Sequence, residues 1–176
     1  MATIGIKGLK ISEELCLVRL RAGPRSSGLL PAFCSLLAGS QINMPFLSAE
    51  SQPGGILAIC CVDAAQQPLL KRLLSAEPVL QERAECTAGV GLLTLFPHQS
   101  SLRLFGRSLR ALAEADLRIF AMASSIGALT YVLDYAQLDK AAAVIQVCFE
   151  LSPNHAPFRA EFAVTQGTQL RPDRKD

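Results

Sequence analysis

Apolar and polar residues follow the same order of elements in two successive stretches of the chain. From Leu15 to about Cys86 the pattern predicts strand, loop, amphipathic helix, strand, turn, strand, helix and strand. From Val90 to about Thr165 it predicts the same series again. The chain is therefore a tandem repeat of a βαββαβ unit, which is short and carries few catalytic groups.

In the first copy, a helix is predicted over Gly28–Ala38, because its apolar residues recur at intervals of three and four. Asp63 is predicted to cap the second helix. Pro45 cannot donate a ladder hydrogen bond and therefore marks an edge or a bulge. The predicted strands are Ile4–Ile11, Leu15–Arg21, Ile42–Glu50 and Ile56–Val62.

The second copy shows the same pattern more clearly. Its first helix places Leu102, Phe105, Leu109 and Leu112 on one face, and its second helix runs from Leu138 to about Phe149. The predicted strands are Gly91–Phe96, Leu117–Ala123, Leu129–Leu133 and Phe158–Thr165.

This order predicts an α+β fold of two ferredoxin-like βαββαβ domains, with antiparallel sheets side by side and helices on one face. We place the first domain at residues 1–86, with its N-terminal strand. We place the second at residues 87–176, with a closing strand and a frayed tail.

The composition of the 176 residues limits the partners. Seventeen basic and 15 acidic residues give no broad electrostatic surface for nucleic acid or an anionic membrane. Half of the residues are apolar and the mean hydropathy is +0.30, which favours a large domain or subunit interface and a homodimer.

The N-terminal sequence lacks the pattern of a signal peptide, and apolar runs are too short to cross a membrane, so a cytoplasmic location is expected. The six cysteines show no CxxC spacing and are expected to be buried thiols in a reducing compartment. Cys60 and Cys61 are adjacent on a strand and must therefore point to opposite faces.

Catalytic chemistry is not indicated. His98 and His155 lie in predicted loops and in no cluster with the spacing of metal ligands. The sequence contains no phosphate-binding loop, dinucleotide fingerprint or nucleophile motif. We therefore expect neither an enzyme nor a cofactor or metal.

Four passages resemble the regulatory part of aspartokinases, a pair of ACT domains that bind amino-acid effectors. They are Leu36–Met44, Ala111–Ile119, Ser124–Val132 and Gln137–Ala143. The resemblance covers nearly the whole chain and implies a stand-alone, kinase-free module similar to an aspartokinase beta subunit. It further implies an effector such as lysine or threonine, bound at a domain or subunit interface, and an enzyme partner.

In that family the effector lies at the N-terminus of the first helix, after a loop that often reads Asp-Lys/Arg-Pro-Gly. Here Arg25-Ser26-Ser27-Gly28 occupies this loop, and a base replaces the acid suited to an amino group. Free N–H groups at the helix start would favour a carboxylate, and Asn43 offers a donor and an acceptor. The resemblance therefore implies these ligand-binding residues: Arg25, Ser26, Ser27, Gly28, Leu29, Ile42, Asn43, Met44, Arg118 and Ile119.

Two other functions stay open. Pro45, Arg103 and Arg118 replace residues of the family pattern, which favours an assembly module without an effector. Arg25 and Asn43 also invite comparison with an acylphosphatase-like hydrolase of the same fold. The surrounding sequence lacks that family's first-loop motif.

A basic stripe runs along the predicted first helix of the second copy. Arg103, Arg107 and Arg110 recur at helical spacing on one side of it. The stripe is either a solvated helix face or a surface that docks an acidic partner.

Overall fold

The computed structural model describes residues 5–23, 28–96 and 101–151. The predicted closing strand Phe158–Thr165 lies outside these residues. The strands are β1 (Gly5–Ile6), β2 (Gly8–Ile11), β3 (Leu15–Ala22), β4 (Phe46–Gln52), β5 (Gly55–Asp63), β6 (Ala84–Phe96), β7 (Ile119–Ser124), β8 (Leu129–Asp134) and β9 (Glu150–Leu151). The helices are α1 (Leu29–Gly39), α2 (Gln67–Ala76), α3 (Pro78–Gln81), α4 (Leu102–Glu114) and α5 (Leu138–Cys148).

Seven strands form one antiparallel sheet in the order β4-β5-β3-β6-β8-β7, with β2 also paired to β6. The α+β class and the repeated ferredoxin-like order are confirmed. The first unit consists of β3, β4, β5 and the first half of β6 with α1 to α3. The second consists of the second half of β6, β7, β8 and β2 with α4 and α5.

Strand β6 holds the two units together. Residues Ala84–Val90 pair with β3, whereas residues Val90–Leu95 pair with β8. On the edge that β6 shares with β3, residues Leu93–Phe96 pair with β2. Between β2 and β3, Ser12 continues this pairing, because its N–H donates to the Leu92 carbonyl at 3.0 Å and its hydroxyl accepts from the Leu92 N–H at 2.8 Å.

The N-terminal strand, which the sequence analysis grouped with the first unit, lies in the second. Gly8 pairs with Phe96 and Ile11 with Leu93, and the side chains of Ile6 and Leu9 are buried in the second unit's core. The Phe96 ring lies where a side chain at Gly8 would be, so the ring would have to move to admit one. The division of the chain at residue 86 stays a prediction, and β6 runs through that position without a break.

The strand predicted over Ile42–Glu50 begins only at Phe46. The reason is the end of α1, where Gln41 adopts a left-handed φ of 55°. The Ile42 N–H then donates back to the Leu37 carbonyl at 2.9 Å, which is a Schellman-type helix end. Ile42 to Met44 therefore form a connection that cannot join the ladder.

The second copy ends its first helix in the same way. Asp116 also has a φ of 55°, and the Leu117 N–H donates to the Leu112 carbonyl at 3.0 Å. Consequently β7 begins at Ile119 rather than at the predicted Leu117. A shared helix end with a non-glycine residue in the left-handed position supports the internal repeat.

The second half of each unit repeats a helix start. The Asp63 carboxylate accepts from the Ala65 N–H at 2.8 Å, as the sequence predicted, and that of Asp134 accepts from the Ala136 N–H at 3.0 Å. Each aspartate caps a short 3₁₀ turn that leads into α2 or α5.

The two faces of the sheet carry three apolar cores, two on the helical face and one on the other. Helices α1 to α3 cover one core and helices α4 and α5 cover a second. The third core, on the helix-free face, is made by strand side chains of both units, and the edge strands β4 and β7 approach each other there. Its buried members are Leu15, Leu17, Phe46, Cys61, Val90, Leu92 and Val132. The helices therefore cover only one face, and the two units bury the other against each other.

A buried polar pair fixes α4 on the sheet. The Tyr131 hydroxyl and the Ser108 hydroxyl are 2.6 Å apart, and Ser108 donates to the Phe105 carbonyl at 2.9 Å. Burial raises the pKa of Tyr131, and the hydrogen bond with Ser108 opposes that shift. Both hydroxyls are therefore satisfied in an otherwise apolar core.

Where the two units meet, β6 contains a bulge. Leu15 pairs with Val90 but Leu17 pairs with Thr87, so β6 carries an extra residue in this interval. Gly89 lies in the bulge with a φ of 71°, a left-handed conformation that disfavours residues with a Cβ.

We expect Gly89→Ala to destabilise the protein by about 1–2 kcal/mol because of the left-handed backbone alone. A Cβ at Gly89 would meet no atom within 4 Å, so no steric term adds to this cost. Gly106→Ala is the matched control, because Gly106 lies inside α4 and a Cβ there is equally unobstructed. It should stabilise by up to about 1 kcal/mol. Urea unfolding of both variants measures the difference, and equal effects would contradict the role given to Gly89.

Candidate functional site

The first half of the predicted ligand site lies at the start of α1. Gly28 is the residue before α1 and Leu29 is its first, buried residue. The Gly28 carbonyl accepts the first helical bond, from the Ala32 N–H at 2.9 Å. Arg25, Ser26 and Ser27 lie outside the described residues, so their placement at this helix start stays a prediction.

The second half of the predicted site is the connection before β4. Ile42 is buried, and Met44 is half-buried against the same core that contains Leu29. Asn43 is exposed between them. The structure thus brings Leu29, Ile42 and Met44 into one core and leaves the Asn43 amide at the surface.

A groove of about 620 Å³ begins at Gly28 and Leu29. Its walls are one side of α1, including Leu36, and the short helix α3 with Val79 and the preceding Glu77. The sequence analysis missed this wall because α3 has only four residues, too few for a periodic pattern. Pro78, in the first turn of α3, is the only sequence feature that indicates this helix.

The groove joins apolar surface to two polar features. Leu80 is buried at its base, whereas the side chain of Val79 is 61% exposed at its rim. Glu77 contributes a carboxylate, and Gly28 carries no side chain that could accept from the first N–H groups of α1. The arrangement therefore suits a small molecule with an anionic group, a cationic group and an apolar part.

The equivalent helix start in the second copy carries a side-chain cap. The Ser101 hydroxyl caps α4 by accepting from the Leu104 N–H at 3.2 Å. Arg118 is exposed, and its guanidinium lies 4.6 Å from the centre of the Phe120 ring. Ile119 packs against the core of the second unit. The two candidate residues of this copy thus have partners within the chain.

The basic stripe on α4 makes contacts within the chain. Arg107 lies over the Phe149 ring at 5.9 Å, and Arg110 forms an ion pair with Glu114 at 2.7 Å. Their charges are therefore directed to neighbours within the chain. The stripe offers a weaker docking surface than its sequence suggests.

In the described part of the chain, no group of three His, Cys, Asp or Glu residues could hold a metal ion. His98 and His155 lie outside that part. Among residues 5–23, 28–96 and 101–151, no helix has the length and apolar character needed to cross a membrane.

The adjacent cysteines of β5 point to opposite faces, as predicted. Cys60 belongs to the core under α1 and α2, and Cys61 belongs to the core between the two units. Burial raises the pKa of each thiol to about 12. Both are therefore protonated, unreactive core residues at neutral pH.

Seven antiparallel strands with two ferredoxin-like units define a tandem ACT fold. The same fold occurs in the regulatory subunit of aspartate kinase from Thermus thermophilus in its ligand-free form, with a TM-score of 0.71 and 16% identity over 83% of this chain and 99% of that one. The Synechocystis aspartate kinase gives a TM-score of 0.70 at 16% identity over 89% of this chain and 29% of that one.

Aspartokinase III of E. coli in complex with lysine and aspartate is also similar, with a TM-score of 0.61 and 18% identity over 84% of this chain and 34% of that one. At these identities the similarity is one of fold. No protein-family model matches the sequence, and no sequence among the curated proteins matches it significantly.

We expect Ser101→Ala to destabilise the protein by about 1 kcal/mol, because it removes the hydroxyl that caps α4. Ser75→Ala is the matched control, since Ser75 is exposed on α2 and donates only to the Lys71 carbonyl within that helix. That change should be neutral or slightly stabilising. Thermal unfolding of both variants tests the cap, and equal effects would show that Ser101 contributes nothing.

Proposed function

We propose that the chain is a regulatory ACT module that binds a small effector, an amino acid, at the start of α1. The observation that carries this proposal is the groove that begins at Gly28, a residue with no side chain to cap the N-terminus of α1. The second copy, in which the Ser101 hydroxyl caps α4, is proposed to serve structure only.

The chemistry of the groove matches an amino acid. The first N–H groups of α1 favour a carboxylate through their hydrogen bonds and the helix dipole. Glu77 supplies a negative charge that can pair with the ligand's ammonium group. Arg25, as a base, cannot supply that charge. Leu29, Leu36 and Val79 offer apolar contact for the side chain of the ligand.

Lysine and threonine are the first ligands to test. The resemblance to aspartokinase regulatory regions suggests both, and the similar E. coli enzyme was solved in complex with lysine and aspartate. A lysine ligand would suit Glu77, because it carries a second ammonium group.

The proposed output is a change in association or in the activity of an enzyme partner, with no catalysis by the chain itself. We place the module in the cytoplasm and propose that two copies form a homodimer. Apolar side chains that are 84–92% exposed support such an interface. They are Leu102, Ile126 and Val147.

The test is the melting temperature in the presence of each common amino acid at 10 mM. A ligand with a Kd of about 0.1 mM would stabilise the folded state by about 2.7 kcal/mol. For a chain of this size that corresponds to a rise of roughly 5–10 °C. We expect a selective rise, reduced in Glu77→Gln and lost in Gly28→Asp, whose carboxylate would repel the ligand at the helix start.

Gly39→Asp is the matched control, because it places the same charge at the other end of α1, where a Cβ is also unobstructed. It should lower the melting temperature of the free protein but keep the response to the ligand. If no amino acid shifts the melting temperature, the effector proposal fails and the assembly module is the better description. A melting temperature that rises with protein concentration would support the dimer in either case.

A further inference from the structure

Beyond the third core, the helix-free face of the first unit carries two arginine side chains. Leu17 and Phe46 are buried members of that core, and side chains alternate between the two faces along each strand. Arg19 and Arg21 of β3 therefore lie on the same face as Leu17. Arg19 is half-buried and Arg21 is exposed. Two guanidinium groups thus lie on the side of the sheet opposite the helices.

The strand register places a base, an apolar residue and an acid in one row across three strands. Arg21 of β3 pairs with Leu57 of β5, and Leu57 pairs with Glu50 of β4. Neighbouring strands lie about 4.8 Å apart, so the Cα atoms of Arg21 and Glu50 are separated by about 10 Å. Leu57 therefore lies between a positive group and a negative group.

The next row along the same strands repeats this order with a neutral third member. Arg19 pairs with Ile59, and Ile59 pairs with Ser48. The side chains of Leu57 and Ile59 are both half-buried. Together the two rows form an apolar strip on β5, with bases on the β3 side and polar groups on the β4 side.

Two adjacent cavities lie along this strip. The larger has a volume of about 330 Å³, and its lining includes Arg21, Gln52 and Leu57. The smaller has a volume of about 190 Å³, and its lining includes Glu50, Leu57 and, from the second unit, Met122. Leu57 lines both cavities. The positive group therefore lies in one cavity and the negative group in the other, with apolar surface between them.

The charged groups of the strip are available to a ligand. The Gln52 side-chain amide donates a hydrogen bond to the Glu50 carboxylate. Because that partner is neutral, Glu50 keeps its charge, and its second oxygen can still accept. Within residues 5–23, 28–96 and 101–151, Arg19 and Arg21 form no ion pair.

We propose that this strip is a second ligand site, for a small molecule with an anionic and a cationic group at opposite ends of an aliphatic chain. The Arg21 guanidinium binds the anionic group in the larger cavity, where its planar fork suits a carboxylate. The aliphatic chain lies over Leu57 and Ile59, and the cationic group meets Glu50 in the smaller cavity. The strip lies on the face opposite α1, so this site is independent of the groove proposed for the effector.

The separation of the two charged side chains selects the length of the ligand. An α-amino acid carries its carboxylate and its α-ammonium group on one carbon, so these two groups cannot reach Arg21 and Glu50 together. 6-Aminohexanoate carries the same two groups at the ends of a five-methylene chain. It is therefore the probe for this site.

The test is a titration of the full chain with 6-aminohexanoate, followed by the NMR shifts of the backbone amides. We expect saturable shifts centred on Leu57 and Gly55, and weaker binding of hexanoate and of hexylamine, which each lack one charged group. Shifts centred on Gly28 or the absence of saturable shifts would overturn the proposal. Equal affinity for hexanoate and 6-aminohexanoate would overturn it as well, because the acid would then contribute nothing.

Two substitutions assign the ends of the ligand. Arg21→Gln should weaken the binding of both 6-aminohexanoate and hexanoate by about ten- to a hundredfold, because it removes a charge-assisted hydrogen bond. Glu50→Gln should weaken only the binding of 6-aminohexanoate, to the level of hexanoate. Arg72→Gln is the matched control, since Arg72 is exposed on α2, on the other side of the sheet. Equal effects of Arg21→Gln and Arg72→Gln would show that only net charge matters and would contradict the site.

The same variants separate this site from the effector groove. Gly28→Asp should leave the affinity for 6-aminohexanoate unchanged, and Arg21→Gln should leave the thermal response to an effector unchanged. Loss of 6-aminohexanoate binding in Gly28→Asp would place the probe in the α1 groove and overturn this proposal alone. 4-Aminobutanoate, which is two methylene groups shorter, should bind more weakly. Equal binding of the two would contradict a ligand that spans both cavities.

Discussion

The backbone pairing along β6 is the constraint on which the rest of the structure depends. One edge of this strand binds β3 and then β2, and the other edge binds β8, so both units share its hydrogen bonds. Ser12 keeps the ladder continuous where β2 gives way to β3. Because the strand cannot move without disturbing the pairing of both units, backbone hydrogen bonds set the position of each unit in the sheet.

Side-chain packing then makes the two units unequal. Both copies end their first helix with a residue in the same left-handed conformation and begin their second with an aspartate cap. They differ at the start of the first helix, where one has Gly28 and the other has Ser101 with its capping bond. The two copies thus share the bonds that hold the fold and differ at the helix start that we propose as the ligand site.

The order and type of most elements could be predicted from the sequence, because apolar periodicity reports directly which face of an element is buried. The opposite directions of Cys60 and Cys61 follow from the same rule and are confirmed. Periodicity cannot tell which strand pairs with which, however. That is why β2 was grouped with the first unit and why the single long strand β6 was read as two.

The candidate site was less accessible to sequence reasoning. Gly28 and Leu29 could be proposed from the family pattern, but Glu77 and Val79 reach the same groove from a part of the chain almost 50 residues away. The left-handed turn at Gln41, which removes Ile42 to Met44 from the strand, has no signature because glutamine rarely adopts that conformation. The Tyr131–Ser108 pair likewise depends on how α4 lies over β8, which only tertiary packing decides.

The place of β2 also decides the order in which the nascent chain can fold. This strand leaves the ribosome before its partner on β6 exists, and Ser12 and its partner Leu92 are 80 residues apart in sequence. All strands and helices of the first unit lie between them, so that unit can form while synthesis continues. The second unit must recapture a segment made at the beginning, and its exposed half-sheet is therefore the part of a growing chain most in need of protection by chaperones.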